Sequence, residues 1–179
     1  MLRYVTGNQG KVREAVAYLG DTVEAVNYNY PELQADTLEK IAAFGAQDAF
    51  DELPGDDPVI VDDAGLFIDA LGGFPGPYSA YVEERLGIER VADLALAEEH
   101  QRARFIAAIG YADGETVETF VGTVRGTIVA PRGDGGFGYD PIFAHRDRTF
   151  AEMSTAEKNA VSHRGRALEL FADWYQHHQ

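Results

Sequence analysis

The chain has 179 residues, a net charge of -15 from 30 acidic against 15 basic side chains, and no cysteine. That length fits one domain, 1–179, with a core of its own. The missing thiols exclude disulfides and thiolate metal sites, and the acidic surface opposes DNA and RNA backbones, so nucleic acid is not an expected partner.

No apolar run reaches the roughly 18 residues a membrane span requires, and the opening MLRYVTGNQGK lacks a secretory pattern. The expectation is a cytoplasmic protein with no membrane partner. Among the bases, only Lys11, Lys40 and Lys158 are lysines. Acid-rich, Lys-poor and Ala-rich composition is halophile-like, although a GC-rich genome would also favour Arg over Lys.

In chain order, Leu2–Thr6 predicts a strand, Gly7–Gly10 a break, and Val12, Val16 and Leu19 a helix stopped by Gly20. Thr22–Tyr28 is a second strand. Asp36 or Thr37 caps a helix with Leu38, Ile41, Ala42, Gly45 and Ala49 on one side. Val59-Ile60-Val61 reads as a buried strand ending in Asp62 and Asp63. A loop at Leu71–Pro77, helices near Tyr78–Leu86 and Glu89–Glu99, and a hairpin of Arg104–Tyr111 and Thr116–Ala130 turning at Asp113-Gly114 follow. Gly122 and Gly126 suggest bulges or close backbone approach. Pro131–Asp140 is a glycine-rich loop, and Thr155 opens a last helix ending near Trp174. This order predicts an α/β fold with a mixed central sheet flanked by helices.

Four segments carry candidate chemistry. Thr6-Gly7-Asn8-Gln9-Gly10-Lys11 is either an ordinary strand-to-helix turn or a phosphate loop, because backbone N–H groups at a helix start attract anions. It lacks Walker spacing. Asp62 and Asp63 are either capping and turn residues or a carboxylate pair beyond a strand end, suited to Mg2+. Phe137, Gly138, Tyr139 and Asp140 lie in GDGGFGYD, which either turns its aromatics into the core or offers flat faces and an acceptor to a base. Lys158, Ser162, His163 and Arg164 form either a solvated helix face or a cationic patch. The scarcity of lysine favours the patch, since Arg is the habitual base of this chain.

TGNQGK at 6–11, VDDAGLFIDALGGFPGPYSAYV at 61–82, GGFGYDPIF at 135–143 and FAEMSTAEKNAVSHRGRAL at 150–168 stand together in one order. The set resembles the inosine triphosphate pyrophosphatase (Ham1-type) family along nearly the whole chain. PELQADTLEKIAAFGA at 31–46 resembles archaeal members.

The resemblance implies a mixed sheet in two lobes with a cleft, a homodimer, and Mg2+-dependent hydrolysis of the non-standard purine triphosphates ITP, dITP and XTP to monophosphate and diphosphate. It implies that Thr6, Gly7, Asn8, Gln9, Gly10 and Lys11 hold phosphate. Glu32 and Asp63 would bind the metal, with Glu39 as the alternative to Glu32, and Asp63 would be the catalytic base. Ala64 falls beside the substrate where many members carry Ser or Thr, and Tyr81 replaces an Arg of many bacterial members. Phe137, Gly138, Tyr139 and Asp140 would line the base pocket, Lys158 would contact substrate, and His163 and Arg164 would read the purine by donating to the oxygen at C6. A preference for modified pyrimidines, or a nucleotide sensor without turnover, are the alternative functions.

Overall fold

The computed structural model describes residues 1–178 except Tyr30 and Glu32, and leaves out the Asp21 side chain. The elements are β1 (Leu2–Val5), α1 (Gln9–Leu19), β2 (Val23–Val26), α2 (Leu38–Glu52), β3 (Val59–Ile68), α3 (Ser79–Leu86), α4 (Ile88–Leu96), β4 (Arg102–Ala112), β5 (Val117–Ile128), β6 (Phe143–His145), β7 (Arg148–Thr149), α5 (Thr155–Asn159) and α6 (His163–Gln176). The strands form one seven-stranded sheet in the order β2-β1-β3-β4-β5-β6-β7. β1 is parallel to β2 and β3, whereas β6 is antiparallel to β5 and β7. The sheet is mixed, as the alternation of elements predicts. No helix among the described residues is long and apolar enough to cross a membrane.

The chain divides into two compact units. Unit 1 comprises Met1–Asp63, Ala107–Gly122 and Arg164–Gln179; unit 2 comprises Ala64–Ile106 and Thr123–His163. In unit 1, Thr37 caps α2 by accepting from the Lys40 N–H, and Leu38, Ile41, Ala42, Gly45 and Ala49 are all buried. β4 approaches this helix so closely that a Cβ on Gly110 would lie 2.1 Å from the Ala42 carbonyl oxygen. Tyr111, Phe120, Phe171 and Trp174 form an aromatic group in the same unit, with Tyr111 edge-on to Trp174 at 5.0 Å.

Unit 2 is built around Leu66, Ile68, Phe105, Val124, Ile142, Phe143 and Phe150. The segment after β3 folds tightly onto it. Ser79 Oγ accepts from the Leu66 N–H and donates to the Gly76 carbonyl, and a Cβ on Gly65 would meet that carbonyl at 2.3 Å. Gly65 therefore serves close backbone packing. Gly126 has the same role, its Cβ position lying 2.3 Å from the Ala144 carbonyl oxygen.

Three expectations change. β3 does not stop at Val61 but continues through Asp62 and Asp63 to Ile68, so the two acids are mid-strand residues rather than groups beyond a strand end. The last helix is two: α5 is capped by Ser154 in a capping box with Glu157, and α6 starts at His163. In α1 the buried positions are Glu14 and Ala15, while Val16 is 40% exposed. Val12 and Leu19 are only half-buried, so none of the three apolar positions is fully buried.

Replacing Gly110 with Ala forces β4 and α2 apart and should cost about 1–3 kcal/mol, the usual range for overpacking. Equilibrium urea unfolding checks this, through a lowered midpoint at unchanged slope.

Candidate active site

The β1–α1 turn is organised by its own side chains. Asn8 caps α1, its Oδ1 accepting from the N–H groups of Gly10 at 2.8 Å and Lys11 at 3.3 Å. Thr6 Oγ1 accepts from the Asn8 N–H at 3.1 Å. Gly7, Asn8 and Gln9 are exposed, while Thr6, Gly10 and Lys11 are half-buried. Capping turns Lys11 back towards β3. Its Nζ lies 2.5 Å from Asp62 Oδ1 and donates to the Asp62 carbonyl at 3.0 Å. An ammonium has three donors. Two go to Asp62, and the side chain keeps 21% exposure.

Asp62 is the centre of a buried ion network. Arg164 Nε donates to Asp62 Oδ2 at 2.6 Å, and Arg164 Nη1 donates to Glu14 Oε2 at 2.7 Å. Arg164 is 2% exposed and Glu14 4%. Burial alone would raise the Asp62 pKa, but the Arg164 and Lys11 charges and their hydrogen bonds overcome it and hold the carboxyl well below the ordinary carboxylate range. Desolvation would likewise lower the Arg164 pKa, and Asp62 and Glu14 reverse it.

These contacts bear on two expected roles, one from the residue pattern and one from the family resemblance. Asp62 belongs to Lys11 and Arg164, so the acidic pair is not a two-carboxylate metal site; Asp63, half-buried, is the acid left to consider. Arg164, expected to read a purine, spends Nε, Nη1 and Nη2 on the Asp62 and Glu14 carboxylates. Glu14 gives no sign of this role in the sequence, because apolar periodicity carries no signal for a buried charge.

In unit 2 the glycine loop and α5 are joined by a second buried pair. Lys158 Nζ donates to Asp140 Oδ2 at 2.7 Å, and the same oxygen accepts from the Phe137 N–H at 2.9 Å. The ammonium also stands 4.3 Å from the centroid of the half-buried Phe137 ring. Lys158, Ser162, His163 and Arg164 are all buried, which rules out a solvated helix face.

Asp140, expected to face a base, thus fixes Lys158 and the loop backbone. Tyr139 is also corrected: it packs in the unit 2 core and its hydroxyl donates to the Ser79 carbonyl at 2.7 Å, so it offers no open face for stacking. Gly138 is half-buried with φ 60°, and Ala64 is half-buried as the first residue of its unit. The His163 ring stacks on Phe105 at 4.5 Å and 11°. Glu32, expected as a metal ligand, lies outside the described residues, and its alternative Glu39 sits half-buried in the first turn of α2. No group of three or more His, Asp or Glu side chains that could hold a metal occurs among the described residues.

The class defined is a mixed α/β protein whose charged side chains are drawn to a glycine turn, a mid-sheet acidic pair and a glycine–aromatic loop. The chain belongs to the Ham1 family, whose model matches residues 2–174. It is 51% identical over 180 residues to a dITP/XTP pyrophosphatase of Methanopyrus kandleri, covering 97% of this chain and 95% of that protein. An inosine triphosphate pyrophosphatase of Pyricularia oryzae is 37% identical over 177 residues, covering 97% and 93%. Among solved structures, the Staphylococcus aureus Ham1 protein superposes with a TM-score of 0.85 at 29% identity, covering 99% of each chain.

Arg164→Met leaves Asp62 and Glu14 as buried charges short of a partner and should cost about 3–5 kcal/mol in urea unfolding. Acid titration gives a second check. The Asp62 pKa is depressed in the folded state, so its contribution is complete above the unfolded value of about 3.9 and is lost as pH falls below it. Asp62→Asn should flatten the loss of stability across that acid range.

Proposed function

We propose that this chain is a pyrophosphatase that converts ITP, dITP and XTP to the nucleoside monophosphate and diphosphate. The observation that carries this reading is 51% identity, along 97% of the chain, to a protein named dITP/XTP pyrophosphatase. The geometry around Asp62 adds a physical rationale.

Polyphosphate chemistry needs positive charge that stays in place while negative charge moves from the α-phosphate to the leaving diphosphate. Lys11 fits that need. Asp62 holds two of its donors, so the ammonium is oriented before substrate arrives, and the third donor serves a phosphate oxygen. Arg164 and Glu14 keep Asp62 fixed in turn. In unit 2, Lys158 is held in the same manner by Asp140.

Asp63 is the general base in this reading. It takes a proton from the water that attacks the α-phosphorus, the bond from that phosphorus to the bridging oxygen breaks, and the electron pair leaves with diphosphate. The half-buried Asp63 carboxylate is a hard oxygen donor, the type Mg2+ prefers. Asp63, with Glu32, would hold that ion. The chemistry a bound Mg2+ supplies is neutralisation of phosphate oxygens and of the departing diphosphate. The same reading includes a homodimer in the cytoplasm.

The direct test is hydrolysis of ITP, XTP, ATP and GTP side by side, with and without Mg2+, identifying both products. Monophosphate and diphosphate from ITP and XTP, dependent on Mg2+, are expected; release of phosphate instead overturns the reading. Lys11→Ala should lower kcat/KM for ITP by about 100-fold or more, the scale of losing a preorganised electrostatic contact. Lys40→Ala, on the exposed part of α2, should leave it within about twofold.

A further inference from the structure

Glu83 stands apart from the charges discussed so far. It lies on α3, half-buried, and its Oε2 is 3.4 Å from the position a Cβ would take on Gly138, in the loop joining Phe137 to Asp140. A second carboxylate is close to the same loop: a Cβ on Gly136 would lie 2.1 Å from Asp140 Oδ2. Two carboxylates therefore approach one short run of backbone.

Their situations differ. Asp140 is neutralised by Lys158 and bonded to the Phe137 N–H. The Glu83 carboxylate has no hydrogen-bond or ion-pair partner among the described residues, although Arg85 and Glu84 stand beside it on the same helix. Burial and the Asp140 charge raise its pKa. A half-buried acceptor beside a second carboxylate is unfavourable unless something donates to it.

We propose that Glu83 is a specificity-determining residue whose carboxylate accepts a hydrogen bond from the N1–H of an oxopurine base. This rests on the pyrophosphatase reading above. Hypoxanthine and xanthine carry hydrogen on N1. Adenine has none there, and its N1 lone pair would face the carboxylate. The contact needs only a base laid along the Phe137–Gly138 loop, where the half-buried Phe137 ring offers a surface for stacking. The assignment also leaves Arg164 to its carboxylates and lets base polarity be read within unit 2. Guanine shares the N1–H, so Glu83 separates oxopurines from adenine and does not exclude guanine.

The test compares kcat and KM for ITP and ATP in the parent enzyme, Glu83→Gln and Glu83→Ala, with thermal unfolding to confirm that both variants are folded. Glu83→Gln can donate to adenine N1 as well as accept, so the ITP-to-ATP preference should narrow by about 10-fold or more, chiefly through KM. Glu83→Ala should weaken ITP similarly. The triphosphate of 1-methylinosine, which has no N1–H, should be a poor substrate for the parent and should lose little further in Glu83→Ala. Folded variants whose ITP-to-ATP preference stays within twofold of an active parent overturn the Glu83 assignment and leave the pyrophosphatase reading intact. A parent that releases no diphosphate from ITP overturns both.

Discussion

A guanidinium held away from water between two carboxylates sets the terms for unit 1. Arg164 reaches Asp62 in the middle of β3 and Glu14 in α1, joining a strand and two helices. Three buried charges of this kind are tolerated only when every partner is present, since each ion brings a desolvation cost of several kcal/mol. The network leaves Asp62 ionised, and an ionised Asp62 in turn anchors Lys11. Helix position, strand register and the orientation of one ammonium thus depend on the same few atoms.

Unit 2 repeats the device on a smaller scale. Asp140 fixes Lys158 and the Phe137 backbone through one oxygen. The chain otherwise favours Arg, yet both ammoniums sit where a compact charge is held in short ion pairs, while Lys40 is exposed on α2. A point charge with three rotatable donors can serve a carboxylate and still turn one donor elsewhere, which a planar fork does less readily. Net charge of -15 and local cationic sites coexist because each ammonium is set by its immediate partners rather than by the surface average.

Much of this was legible in the residues. The α2 face, the Thr37 cap, the hairpin turn at Asp113-Gly114 and the close approach at Gly126 follow from periodicity and glycine placement. Scarcity of lysine singles out Lys11 and Lys158, and both are held in short ion pairs. Buried charge was not legible. Glu14 looks like a solvent residue in an amphipathic helix, and Arg164 looks like a ligand contact, because their partner lies 150 positions away for Glu14 and 102 for Asp62. Tyr139 was equally ambiguous: a phenol beside glycines suits a binding loop or a core, and only the Ser79 carbonyl decides. The extension of β3 through Asp62 and Asp63 was hidden because two adjacent acids ordinarily end a strand, and here one of them is neutralised inside the sheet.

Unit 1 is assembled from the beginning, the middle and the end of the polypeptide, and its ion network closes only through residue 164. During synthesis, Asp62 and Glu14 emerge from the ribosome long before the guanidinium that will neutralise them. Both segments of unit 2 are complete once His163 has been made. The nascent chain therefore completes the residues of unit 2 before those of unit 1, and a polypeptide cut short before Arg164 retains two acids that have no reason to enter a core.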